Sequence, residues 1–98
     1  MVMKGAFSDV RLTGDGQVKV RGPVQNEDAQ VKRMSFVLAQ EGVIAEGEAR
    51  VGSDAWVGEV PAQGFTPGKP VLAVGVAVVV GDGAVQSFTW CEQKQLES

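Results

Sequence analysis

Histidine and tyrosine are both absent from the chain of 98 residues. Acid–base and nucleophilic chemistry must then come from Asp, Glu, Lys, Ser, Thr and a single cysteine, Cys91. A cysteine nucleophile needs a neighbouring base or a cationic environment to form its thiolate, and no imidazole exists to supply one. Cys91 therefore reads as a small packed residue on a strand beside Trp90. Glu46 and Glu48 stand two residues apart in an alternating segment, which puts them on one strand face about 7 Å apart at about 3.4 Å per residue. Paired carboxylates at that separation suit glycoside hydrolysis. The polar face of any amphipathic strand has the same spacing, so the pair reads as solvated surface and the chain is not expected to be an enzyme.

Metal and ligand chemistry is equally sparse. Asp15 and Asp82 sit in Gly-Asp-Gly triplets, and Glu27, Asp28 and Asp54 lie in other polar stretches. Calcium sites need several oxygen ligands converging from a dense acidic loop, whereas isolated aspartates between glycines are turn formers. No metal or cofactor is expected. Trp56 and Trp90 could stack on a sugar, but each falls in an alternating strand and reads as core.

The charge balance narrows the partners. Nine basic and twelve acidic residues leave a net charge of −3, and the basic residues are scattered along the sequence. A nucleic-acid binder needs a basic stripe to neutralise phosphates, so nucleic acid is not an expected partner. The longest apolar run covers residues 70–80, too short for a membrane helix of about 20 residues. No apolar leader segment follows Met1 to Lys4, and one cysteine excludes an internal disulfide; both fit a reducing, cytoplasmic setting. With 44% apolar residues, the chain has enough material for one core in a single domain spanning 1–98.

The elements that would position these residues are strands. Ala6 to Thr13 alternates with a slip near Asp9, Gly14-Asp15-Gly16 is a hairpin turn, and Gln17 to Arg21 alternates cleanly until Gly22-Pro23. Gln25 to Gln30 reads as a loop. Val31 to Ala39 puts Met34, Phe36 and Leu38 on one face, with a helix as the rival reading. Val43 to Val51 alternates with period two, which favours two strands, 31–39 and 43–51, joined by a hairpin. Ala55 to Val60 follows, with Trp56, Gly58 and Val60 on one face. Phe65 is a plug in a Pro/Gly-rich loop, and Thr66-Pro67-Gly68-Lys69 fits a type II turn. Ala84 to Gln93 puts Phe88 and Trp90 on one face, and 94–98 is a polar tail expected to fray.

Pro70 to Val80 is the central strand. Its bulky side, Leu72, Val74, Val76, Val78 and Val80, is expected to face the core. The smooth side, Val71, Ala73, Gly75, Ala77 and Val79, is either covered by the domain's own side chains or offered to another subunit or domain. It is the candidate interface.

Seven short strands, two tryptophans, a proline-glycine loop and a closing hairpin resemble the bacterial immunoglobulin-like and fibronectin type III-like domains. The resemblance implies an all-β, antiparallel β-sandwich of about seven strands. The paired cysteines and the tyrosine corner of true immunoglobulin domains are missing. The function expected is a non-catalytic interaction or assembly module that meets a protein partner, or a second copy, through a sheet face or end loops. The alternative is a small-ligand module holding carbohydrate or calcium.

Overall fold

The computed structural model describes residues 6–23, 30–81 and 83–98. Seven strands run in chain order: β1 (Asp9–Leu12), β2 (Gln17–Pro23), β3 (Gln30–Gln40), β4 (Val43–Val51), β5 (Ala55–Pro61), β6 (Pro70–Gly81) and β7 (Ala84–Gln95). All neighbours pair antiparallel, in the order β1-β2-β5-β4-β3-β6-β7. The result is one sheet curled into a half-barrel, and no helix is present among the described residues. The helical alternative for residues 31–39 is thereby excluded.

The curl has a structural cause. β1-β2-β5 pair over four and seven residues and β4-β3-β6-β7 over seven to twelve, but β4 and β5 share only two residue pairs, Arg50 with Val57 and Val51 with Trp56. The sheet folds over at that short seam, so Phe36 of β3 reaches across the interior to Gly58 of β5, a strand it does not pair with. At the opposite side Glu97 forms a parallel bridge to Arg11, and the backbone bonds Leu12 N–H to Glu97 O (2.7 Å) and Glu97 N–H to Val10 O (3.1 Å) tie the ends of the sheet together. Leu96 is fully buried there. The C-terminal residues expected to fray are therefore part of the closure.

Turn chemistry explains the connections. Glu41 and Gly42 both have positive φ (47° and 87°), as the two-residue hairpin joining β3 to β4 requires. Gly68 at φ 84° occupies the third position of the expected type II turn. That loop is anchored from inside the fold. Thr66 N–H donates to Gln40 Oε1 at 2.6 Å, and Gln40 Nε2 donates to the carbonyls of Thr66 (2.9 Å) and Lys69 (3.3 Å). Gln40 is the buried polar side chain that lets Phe65 plug the same end of the core. The strand ends differ from the sequence reading in detail: β1 is confined to Asp9–Leu12, and β2 continues through Gly22 and Pro23. The loop expected before β3 and Asp82 of the last turn lie outside the described residues, Gln30 excepted, which opens β3.

Candidate functional site

The central strand presents its smooth side inward. Val71, Ala73, Ala77 and Val79 are completely buried and Gly75 is buried with them, while Leu72, Val74, Val76, Val78 and Val80 face outward. This corrects the expected sidedness: the candidate interface of Val71, Ala73, Gly75, Ala77 and Val79 is covered by the chain's own side chains. The reason lies in the rings of neighbouring strands. In register, Gly75 stands opposite Trp90 on one side and Phe36 on the other. A methyl group at Gly75 would come within 2.6 Å of Trp90 Cε2 and 2.7 Å of Cη2, so the indole lies directly on the glycine. The same pairing recurs between Trp56 and Gly22, and between Phe36 and both Gly47 and Gly58. Large rings fill the interior only where the strand beneath them is small.

The opposite face is the one left open. Cross-strand registers lay out its rungs over β4, β3, β6 and β7: Ile44, Ala39, Leu72 and Gln93; then Glu46, Val37, Val74 and Cys91; then Glu48, Ser35, Val76 and Thr89. Arg33, Val78 and Ser87 form the next rung, and Val80 with Val85 closes the series. Ile44 (71% exposed), Leu72 (45%) and Val85 (69%) are the large apolar side chains left exposed among the described residues, and all three stand on this face. Its β7 side, Val85, Ser87, Thr89, Cys91, Gln93 and Gln95, carries no charge.

Glu46 and Glu48 do share this face, where they line a shallow depression of about 320 Å³ with Ser35, Phe36, Val37 and Gly47. All six residues belong to two adjacent strands, so no opposing wall holds a substrate between carboxylates. Glu48 is already engaged by Arg33, whose Nε donates to its Oε1 at 3.0 Å. Cys91 is exposed on the outer face opposite Val74, and is not packed as expected. No group of three or more His, Cys, Asp and Glu side chains converges among the described residues. Asp15 and Asp54 are separate and exposed; Asp82, Glu27 and Asp28 lie outside the described residues.

Trp56 is buried and Trp90 half-buried, with Phe7 between them at ring-centroid distances of 5.1 and 5.8 Å. Neither indole N–H has a hydrogen-bond partner among the described residues. Phe7 is held by its own backbone N–H, which donates to Glu92 Oε2 at 2.8 Å. Phe7 and Trp56 belong to the core, and Trp90 packs against it while keeping part of its surface accessible.

One cluster was hidden from sequence reasoning. Arg11, Lys19 and Arg21, dispersed along the chain, meet with Asp9 in a shallow depression on the outer face of β1 and β2. Period-two alternation within each segment was the available signal, but the pairing of β1 with β2 had to be known first. The cations are interleaved with acids: Asp9 pairs in register with Arg21, Glu59 with Lys19, and Arg11 contacts Glu97 at 3.5 Å. Compared with known protein families, curated proteins and solved structures, the chain matches none of them.

Proposed function

We propose that the chain is an immunoglobulin-like β-sandwich acting as a non-catalytic interaction module, and that it works through the outer face of β4-β3-β6-β7. The strand order supports the sandwich reading. Three strands, β1-β2-β5, oppose four, β4-β3-β6-β7, with a seam of two residue pairs where the halves meet. One observation carries the functional reading: the exposed large apolar side chains Ile44, Leu72 and Val85 are gathered on one sheet face around a continuous outward row of valines. An outward strand face normally alternates to polar residues, and a contiguous apolar patch on a folded surface marks a contact site.

The experiment is dye binding to dilute folded protein. Bis-ANS fluorescence should rise on addition of wild type, and Val76→Lys should remove most of that signal without lowering the melting temperature. A wild type that leaves the dye unchanged would remove the reading.

A further inference from the structure

We infer that the occupant of this outer face is a second copy of the chain, stacked face to face with its strands antiparallel about a twofold axis that crosses the strands at Val76. The inference rests on the proposed interaction face and specifies its partner. It is argued from the layout of charge and from area.

A twofold axis in a contact plane maps each rung onto the rung equally far on the other side. With the axis on the rung of Glu48, Ser35, Val76 and Thr89, Val76 meets Val76 of the second copy, Val74 meets Val78, and Leu72 meets Val80. The apolar row is complementary to its own reverse. On β4 the residues two before and two after Glu48 are Glu46 and Arg50, both exposed. The same operation brings each Glu46 over Arg50 of the other copy, twice per dimer. Glu48 falls on the axis and brings its own guanidinium, Arg33, with it. On the β7 side the facing residues are uncharged: Thr89 on Thr89, and Cys91 on Ser87. A stack with the axis parallel to the strands would instead lay β4 over β7, leaving Glu46 and Arg50 against Cys91 and Ser87 with no opposite charge.

Area permits the contact. Four strands at about 4.8 Å spacing, with outward rungs over about 30 Å, give a footprint of about 600 Å² per copy and about 1,200 Å² in all. Stable interfaces begin at about 1,000 Å². Area alone does not set the affinity, so the dimer is sought over a wide range of concentration.

Sedimentation velocity over a concentration series, from about 10 μM to about 1 mM, reads the dimer directly. Wild type should move from monomer to dimer, and Val76→Lys should weaken association at least about tenfold by stacking two ammonium groups at the axis. Glu46→Arg and Arg50→Glu should each weaken it, and the double exchange should restore it, which a merely destabilising substitution would not do. Ser87→Cys should allow a short bis-maleimide to join it to Cys91 of the other copy, while Glu46→Cys should not.

A dimer insensitive to Val76→Lys, or one in which the charge exchange fails to restore association, overturns the inference. So does a chain that stays monomeric at about 1 mM. If such a monomer still binds bis-ANS in a Val76-dependent way, the interaction face stands and its occupant is a different protein. If it does not, both readings fall together.

Discussion

Gly75→Ala is the sharpest test of how the interior is filled. In a strand, glycine is less favourable than alanine by about 0.5–1 kcal/mol, so with free space the change would stabilise the protein. Here the added methyl lands within 2.6 Å of Trp90 Cε2 and closer still to Cζ2, inside any tolerable contact. The indole cannot move away freely, because its other neighbours include Phe7 at 5.8 Å and the backbone of β6 beneath it. Overpacking of this kind costs about 1–3 kcal/mol. Set against the gain from removing glycine, the net expectation is a loss of up to about 2.5 kcal/mol, centred near about 1 kcal/mol, which is a fall in melting temperature of about 4–8 °C for a domain of this size. Urea denaturation followed by tryptophan fluorescence measures it. Gly14→Ala is the matched control, since nothing lies within 4 Å of its added methyl and its φ is not in the left-handed region. In a Trp90→Leu background the penalty of Gly75→Ala should shrink, because the colliding ring is gone. An unchanged or raised stability for Gly75→Ala in the wild-type background would refute the claim that rings resting on glycines set the sidedness of β6.

Three further outcomes follow from features already described. Gln40→Ala removes the acceptor for Thr66 N–H and the donor to two loop carbonyls, and should cost about 1–3 kcal/mol; native-state hydrogen exchange should show the Thr66 amide losing protection first. Leu96→Ala should destabilise by about 2–4 kcal/mol in denaturant, because the side chain is fully buried; a neutral result would mean that the C-terminal segment does not close the sheet. Glu48→Gln, which weakens an exposed pair with Arg33, should change the denaturation midpoint by no more than about 0.5 kcal/mol allows, since both side chains are more than half exposed.

Much of the fold was legible because most segments alternate with one apolar and one polar face. Met34, Phe36 and Leu38, or Phe88 and Trp90, had a single side on which to go. The stretch 70–80 was different. Both its faces are apolar, so hydropathy ranks bulk against smoothness and favours the bulky side for the core. The decision belongs to Trp90, whose ring occupies the space above Gly75, with Phe36 as the cross-strand neighbour on β3, and that register is invisible until β3, β6 and β7 are paired. Leu96 failed for a related reason. One apolar residue in a polar tail has no periodicity, and its environment includes a partner segment near Arg11. Gln40 carried no signal in the sequence, because its three bonds go to Thr66 and Lys69, across the fold. The candidate face was thus present in the sequence as the right strand, with its two sides exchanged.

The bridge between Arg11 and Glu97 also bears on how the chain reaches this structure. The contacts of β3 with β4 and of β6 with β7 are local hairpins, whose pairing needs only neighbouring residues. β1 and β2 also form a hairpin, but their free edge waits for β5, and the tie at Val10 and Leu12 waits for residue 97. During synthesis, then, the half made of β1 and β2 emerges early with Val18 and Val20 uncovered. Their pairing with β5 comes later, and the tie of Val10 and Leu12 to residue 97 comes last. Non-local closure of this kind slows folding and prolongs the lifetime of sticky intermediates. The nascent chain should therefore depend on chaperones most while the sheet is still open, a dependence that ends when Leu96 and Glu97 dock.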